Sequence, residues 1–397
     1  MNKKLSLALA CLTLLWGCST QQHQKPLNDI VNESLALAQK QSLLMAESLK
    51  DQPDRLPQTI TKDGKLVTSN SAWWTSGFFP GELWYLYENS NDDAVKKWAE
   101  NFTWRDEDQK YTTSNHDVGF MIFCSFGNAY RITKDTVYKN VIHTACNSLI
   151  TRFNPTVGCI RSWDNTKWEY PVIIDNMMNL EMLMWGSKAF NDTTYSHDAI
   201  SHANTTMKNH FRDDFSSYHV VSYDTITGKP IVKQTAQGYS DASAWARGQT
   251  WGLYGFTMMY RETGNKKYLK QAENIADFII HNPNLPKDGI PYWDFDAPNI
   301  PNALRDASAG AIMCSALLDL SQYVPKEKST EYVDVAETQL RTLSSGKYRT
   351  KLGEDANFLL KHGVGNMPNK SEVDVPLTYA DYYYVEAMMR YKKLKGF

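Results

Sequence analysis

Residues 248–260 read GQTWGLYGFTMMY, a run that is apolar, aromatic and glycine-containing on nearly every side. A surface helix keeps one polar face, whereas a helix that is apolar all round belongs in a protein interior. This run therefore predicts a buried helix. Five more segments share its character, at 74–87, 119–130, 176–185, 307–320 and 379–391.

Segments with helical periodicity and one charged face alternate with the apolar runs. Six buried and six covering helices predict an all-α fold, an (α/α)6 barrel or six-hairpin toroid whose outer ring encloses an inner ring. A superhelical repeat is the alternative, but its period would be shorter and more constant than spacings of 42 residues (Gly77 to Gly119) and 73 residues (Asn179 to Gly252). The predicted covering helices lie at 27–49, 94–102, 136–151, 197–211, 266–281 and 330–343.

Composition narrows the class of protein further. The 397 residues include 42 Lys and Arg against 44 Asp and Glu, so no basic surplus exists to neutralise nucleic acid, which we do not expect as a partner. An aromatic share of 12% is incompatible with a disordered chain. Strand-like alternation is confined to 218–223 and 230–233.

The first 17 residues resemble a bacterial lipoprotein signal peptide. Lys3 and Lys4 precede an apolar run that is too short to span a bilayer permanently, and Gly17 precedes Cys18. We expect a signal peptide at 1–17, a lipid on Cys18 that anchors the protein to the membrane of the bacterial cell envelope, a linker at 18–26 and a single barrel domain at 27–397. Secretion without a lipid is the alternative.

The remaining cysteines, Cys124, Cys146, Cys159 and Cys314, are widely spaced, and no C-x-x-C pair occurs. This pattern favours small buried residues over a disulfide framework or a metal site, although a single disulfide stays open. The sequence also lacks the common nucleotide, zinc and serine-hydrolase motifs. We therefore expect no metal and no cofactor.

Polar residues at the starts of the buried helices are the candidates for chemistry, because the loops at one end of such a barrel form a bowl. Asp117 precedes the second buried helix and Asp175 the third. A close carboxylate pair splits its pKa values, giving one proton donor and one anion. The alternative is that each aspartate merely caps its helix. His116 beside Asp117 and the apolar surroundings of Asp175 favour a function.

The start of the fourth buried helix places Arg247 between Trp245 and Trp251. A guanidinium binds a carboxylate bidentately, and flat indole faces stack on sugar rings. The alternative is a buried arginine paired with a structural acid such as Asp241. His219 is a weaker candidate, because a lone histidine is more often a packing residue. Further rings lie near other helix starts, at Trp73, Trp74, Tyr292, Trp293 and Phe295.

Five sequence blocks together resemble the unsaturated glucuronyl hydrolases of glycoside hydrolase family 88, and the likeness extends from residue 74 to residue 391. The blocks are HDVGF at 116–120, DNMMNL at 175–180, SAWARGQTWG at 243–252, DASAG at 306–310 and SEVDVPL at 371–377.

The resemblance implies removal of a 4,5-unsaturated glucuronate or other hexuronate from the non-reducing end of oligosaccharides that a polysaccharide lyase has cut. Glycosaminoglycan and ulvan lyases both make such substrates. In the family mechanism a carboxylic acid protonates the enol-ether double bond at carbon 4 and water adds at carbon 5. The resulting hemiketal opens and expels the neighbouring sugar.

The resemblance also implies roles for individual residues. Asp175 matches the general acid/base and Asp117 the second essential aspartate, which holds the substrate and helps to set the pKa of its partner. On physical grounds we expect Arg247 to bind the uronate carboxylate and Trp245 and Trp251 to stack on the sugar. The residues that match the unsaturated-sugar subsite are His116, His219, Gln237, Trp245, Arg247 and Trp251.

One block departs from the family pattern. Some members carry serines and a lysine just before the SEVD block, a cluster that favours sulfated substrates, but this chain reads HGVGNMPNK at 362–370. Glycines stand in place of serines, so a 6-sulfate preference is not implied, and Lys370 is the remaining candidate for one.

Three other functions stay open at this point. An unsaturated rhamnogalacturonyl hydrolase of family 105 shares the chemistry with rhamnose as the leaving sugar, but the HDVGF block favours family 88. A non-catalytic surface glycan-binding lipoprotein has no need of two aspartates beside Arg247. An ordinary inverting glycosidase on the same barrel would cleave saturated oligosaccharides.

Overall fold

The computed structural model describes residues 25–397. The predicted signal peptide, Cys18 and the linker up to residue 24 lie outside the described residues. Within 25–397, no helix has the length and apolarity needed to cross a bilayer. The inner helices are α2 (Phe78–Ser90), α4 (Asn128–Thr133) with the π-helical segment Gly119–Gly127 before it, α6 (Asn176–Phe190), α8 (Ala246–Thr263), α10 (Ala307–Leu320) and α12 (Thr378–Lys395).

The outer helices alternate with the inner ones along the chain. They are α1 (Leu27–Ser48), α3 (Asp93–Trp104), α5 (Thr136–Ile150), α7 (Thr193–Asn209), α9 (Lys266–Ile280) and α11 (Lys326–Leu343).

The inner helices form a closed ring. Each packs against the next in chain order, and α12 returns to α2. Every residue of α10 is buried, whereas α9 buries only one face. The predicted (α/α)6 barrel is therefore confirmed. As the sequence pattern indicates, the helices without a polar face form the inner ring.

Short turns reverse the chain from inner to outer helix in a repeated way. Four of the inner helices that lead into an outer helix end on a residue with positive φ, which stops the helix. The next residue is Asp or Asn, and its side chain accepts a backbone N–H of the following outer helix. The residue pairs are Asn91 and Asp92, Lys134 and Asp135, Asn191 and Asp192, and Gly264 and Asn265.

Four small antiparallel sheets sit among the longer loops of the described chain. The two predicted strands are present as β6 (Val220–Tyr223) and β7 (Pro230–Gln234). The sequence analysis does not predict the other strands, which have two to five residues each. They are β1 (Leu56–Ile60), β2 (Leu66–Ser69), β3 (Phe153–Asn154), β4 (Cys159–Ile160), β5 (Pro171–Ile173), β8 (Gly363–Asn366) and β9 (Ser371–Val375).

The four cysteines of the described chain are free thiols. Cys146, Cys159 and Cys314 are buried and Cys124 is partly buried, in agreement with their reading as small packing residues.

Candidate active site

The starts of the inner helices meet at one end of the barrel and carry the unusual residues. Asp175 immediately precedes α6, Trp245 precedes α8 and Asp306 precedes α10. Because each helix start carries a partial positive charge, this end of the barrel favours an anionic ligand.

Neither candidate carboxylate serves as a helix cap. Asp175 occupies the N-cap position of α6 but accepts no cap hydrogen bond, and its Oδ2 is buried without any hydrogen-bond partner. Asp117 lies just ahead of the π-helical segment, which likewise has no side-chain cap. Asp306, in contrast, does cap α10 through Ser308. The capping alternative is therefore wrong for Asp117 and Asp175.

A close helix contact brings the two aspartates together. The Asn179 side chain accepts the backbone N–H of Phe120 at 2.9 Å. A Cβ atom on Gly119 would lie only 2.6 Å from Asn179 Oδ1 and 2.7 Å from its Cα, so only glycine allows this approach. The glycine of HDVGF and the second asparagine of DNMMNL thus hold together the two helix starts that carry Asp117 and Asp175.

Strand pairing places His219 against Asp175. Strands β5 and β6 pair with Ile173 opposite Val220, and the backbone N–H of Ile174 donates to the His219 carbonyl at 3.0 Å. The chain continues from Ile174 to Asp175, just beyond the end of β5, and Asp175 Oδ2 lies 3.6 Å from His219 Nε2, longer than a hydrogen bond.

The tautomer of His219 follows from its other contacts. Its Nδ1 accepts the backbone N–H groups of Ala236 and Gln237 at 3.1 and 3.2 Å. The proton of the neutral ring is therefore on Nε2, directed at Asp175. Burial and the Arg247 charge lower the His219 pKa to about 3, so the ring stays neutral. It offers an N–H to the Asp175 carboxylate without carrying a charge.

Burial raises the pKa of both aspartates. The pKa of Asp175 rises to about 7, although Arg247 partly opposes the shift. The pKa of Asp117 rises to about 8 through burial and repulsion from Asp175, opposed by Arg152. Because the charges interact, the two groups titrate as a pair that keeps at least one proton at neutral pH.

His116 supports the second aspartate. Its Nε2 lies 3.4 Å from Asp117 Oδ1, and its backbone N–H donates to the Ser162 carbonyl. Burial and the charge of Arg152 lower the His116 pKa to about 3, so this ring is also neutral.

Arg247 is held by protein groups. Its guanidinium pairs with Asp306 at 3.2 Å and donates to the carbonyls of Val364 and Gly365 in β8. The structural acid is thus Asp306, not Asp241 as considered from the sequence. Gln237 also donates to the Gly365 carbonyl, at 3.0 Å. Both side chains fasten the β8–β9 hairpin to the bowl, and binding of a uronate carboxylate by Arg247 stays a prediction.

Removing the Asp306 carboxylate should destabilise the protein strongly. In Asp306→Ala the buried Arg247 loses its counter-charge and Ser308 and Val364 lose an acceptor. We expect a loss of about 3 kcal/mol in the free energy of unfolding. Urea unfolding measures this loss, with Asp192→Ala at an outer-helix cap as the comparison. Equal, small losses in both variants would show that the Arg247 pair does not matter for stability.

The two tryptophans differ in position. The ring centre of Trp245 lies 4.5 Å from the ring centre of His219, which faces Asp175, and 4.5 Å from the Arg247 guanidinium. Trp251 has no exposed surface and packs between Phe120 and Tyr383. Trp251 thus packs beneath the site without an exposed face. Stacking of either ring on a sugar stays a prediction.

Three residues of the site receive no individual role from the sequence analysis. Asp306 and Asn179 both lie inside the recognised blocks, but no spacing shows that Asp306 meets Arg247 or that Asn179 meets Phe120. Tyr379, whose ring lies 4.9 Å from Trp74 and 5.2 Å from the Arg247 guanidinium, also belongs here. The sequence marked Tyr379 only by its position at the start of the last buried helix.

Comparison with known proteins identifies relatives over nearly the whole chain. An unsaturated glucuronyl hydrolase of Formosa agariphila is 48% identical over 324 residues, which cover 81% of this chain and 80% of the relative. An unsaturated glucuronyl hydrolase of Bacillus sp. strain GL1 is 30% identical over 88% of this chain and 94% of its own length.

Solved structures agree with these relatives. An unsaturated glucuronyl hydrolase specific for heparin superposes with a TM-score of 0.91 at 48% identity, covering 93% of this chain and 99% of that one. The Bacillus sp. GL1 enzyme gives a TM-score of 0.85 at 29% identity, over 91% and 97% of the two chains. The family model for glycosyl hydrolase family 88 matches residues 45–395. The chain described here belongs to glycosyl hydrolase family 88.

Proposed function

We propose that this protein hydrates the carbon 4–carbon 5 double bond of an unsaturated hexuronate at the non-reducing end of lyase products. The observation that carries the proposal is a pair of carboxyls, the buried Asp175 and the partly buried Asp117, which cap no helix and whose pKa values are raised to about 7 and about 8. An enol ether is activated by protonation, and a buried acid with a pKa near neutrality is suited to that task.

The proposed reaction has the following steps. Protonated Asp175 gives its proton to carbon 4, and the resulting carboxylate takes a proton from the water that forms the new bond to carbon 5. The N–H on His219 Nε2 faces the Asp175 carboxylate. This carboxylate forms when Asp175 gives up its proton and is neutralised when it takes the proton from water. The ring oxygen then leaves carbon 5, giving a ketone there and a hemiacetal at carbon 1 that releases the neighbouring sugar.

The first experiment follows the ultraviolet absorbance of the conjugated double bond. The purified protein is mixed with an unsaturated disaccharide made by a lyase, and with the saturated disaccharide as control. We expect the absorbance to disappear with release of the free sugar, and no reaction of the saturated compound. Cleavage of the saturated compound would support an inverting glycosidase, and binding without turnover would support a glycan-binding protein.

The alkaline limb of the pH profile tests the role of Asp175. Catalysis needs its protonated form, and its pKa is about 7. We therefore expect kcat/KM to fall as the pH rises through about 7, approaching tenfold per pH unit. The neutral His116 and His219, with pKa values near 3, do not contribute a limb between pH 5 and 9. A rate that rises from pH 7 to 9 would contradict this assignment.

The substrate class we propose is the unsaturated glucuronyl disaccharides of glycosaminoglycans. Support comes from the solved relative described as specific for heparin and from three streptococcal relatives named unsaturated chondroitin disaccharide hydrolases, at 30–32% identity. Rates on glucosamine-, galactosamine- and rhamnose-linked unsaturated disaccharides rank the leaving sugars. Preference for rhamnose would instead favour the family 105 type of activity.

We also propose that Cys18 is lipidated and anchors the protein in the cell envelope, with residues 27–397 as one domain. The basic start, the short apolar run and Gly17 before Cys18 support this. The full-length chain expressed in a bacterium should incorporate labelled palmitate and sediment with membranes, and Cys18→Ala should abolish both. Incorporation that persists in Cys18→Ala would overturn the proposal.

A further inference from the structure

A second cleft lies near His116 and is lined by residues outside the candidate active site. It has a volume of about 360 Å³, and its lining includes Arg152, Arg161 and Asp164 together with Thr113, Asn154 and Tyr170. Ser162, next to Arg161 in the chain, takes no part in the lining and bonds instead to His116 and Ile173. Neither His116 nor the two aspartates, Asp117 and Asp175, line this cleft.

Two arginines are held in fixed positions in the cleft. Arg152 is only 6% exposed, and it donates to the carbonyls of Arg161 and Thr113. Arg161 donates to the Glu169 carbonyl at 3.0 Å. Because these hydrogen bonds already hold both guanidinium groups in place, binding of a ligand loses less side-chain entropy.

One carboxylate oxygen already bridges the two arginines. Asp164 Oδ1 accepts from Arg152 Nη2 at 3.0 Å and lies 3.1 Å from Arg161 Nη1. The Asp164 side chain is 57% exposed, so it can leave the cleft without unburying the core. With two positive charges and one negative, this group keeps a net charge of +1.

We infer that the Arg152–Arg161 cleft is a second binding site, for an oxyanion of the sulfate class, which displaces the Asp164 carboxylate. Guanidinium groups bind such oxyanions through paired, charge-assisted hydrogen bonds. The position that Asp164 Oδ1 occupies marks where one anion oxygen binds. The site goes beyond the proposed hydrolase activity, and the two are linked only through Arg152, which also lowers the pKa of Asp117.

Calorimetric titration with sodium sulfate, at an ionic strength held constant with sodium chloride, tests this site. We expect saturable binding to the wild-type protein. Arg161→Gln removes one guanidinium and should weaken binding about tenfold, whereas Asp164→Asn removes the internal competitor and should tighten it about tenfold. Because Asp164 is exposed, Asp164→Asn keeps the test valid even if Arg161→Gln folds poorly.

Melting temperatures supply an independent readout. Sulfate stabilises most proteins without specific binding, so only the difference between variants counts. We expect the sulfate-induced rise to be largest for Asp164→Asn and smallest for Arg161→Gln. Equal rises in all three proteins, or no saturable heat in any of them, would overturn the inference, and neither result bears on disaccharide turnover.

A saturated, sulfated disaccharide distinguishes the source of the anion. Tighter binding than inorganic sulfate, lost in Arg161→Gln, identifies a sulfate ester carried by a saccharide. Binding of inorganic sulfate alone identifies the free ion.

Discussion

Asp175→Asn should reduce kcat on an unsaturated disaccharide by at least about a thousandfold, the scale expected when a general acid is lost. The substitution keeps the shape of the side chain but removes the proton that carbon 4 receives. Since Asp175 makes no cap hydrogen bond, the fold should not suffer. Binding of the substrate should stay measurable, because the rings and the remaining polar groups of the pocket are intact.

Three measurements distinguish a loss of catalysis from a loss of binding or of folding. Loss of absorbance reports turnover, calorimetry reports binding, and the melting temperature reports folding. Asp192→Asn is the matched control, because it makes the same chemical change at an outer-helix cap where asparagine also caps. Near wild-type turnover by Asp175→Asn would remove it from the mechanism.

Asp117→Asn should lower kcat/KM about a hundredfold or more and should also change the pH profile. The interaction between the two charges is mutual, so Asp117 holds the proton on Asp175 more firmly to the extent that Asp117 is itself ionised. Without Asp117, the proton on Asp175 is lost more easily, so the alkaline limb should move to lower pH. A role in holding the substrate should appear as a higher KM.

The pH profile separates this role from a merely structural one. A variant that only loosened the pocket would lose rate without moving the limb. An unchanged limb together with an unchanged KM would show that Asp117 neither tunes Asp175 nor holds the substrate.

The barrel was predictable because the pattern of apolar and polar residues within each segment indicates whether that helix is buried. Segments without a polar face, such as residues 307–320, must lie inside, and segments with one charged face, such as 266–281, must cover them. Both became helices in the expected rings. Even the turns are local, since a residue with positive φ followed by Asp192 or Asn265 ends one helix and starts the next.

Short strands and side-chain partners were not predictable in this way. Nothing near residue 219 shows that His219 faces Asp175, because that contact depends on the register between β5 and β6, which lie about 50 residues apart. The partner of Arg247 likewise comes from another inner helix, 59 residues away at Asp306. Proximity in the sequence points to Asp241 as the partner of Arg247, but in the structure the partner is Asp306.

The sequence by itself therefore determined the ring of helices, the family resemblance and the two aspartates, because helical periodicity and short motifs act over a few residues. Only the tertiary structure decided that these aspartates do not cap their helices, that Gly119 and Asn179 bring them together, and which tautomer His219 adopts. Those features depend on contacts between segments distant in the chain, and their distances and burial set the pKa values on which the chemistry rests.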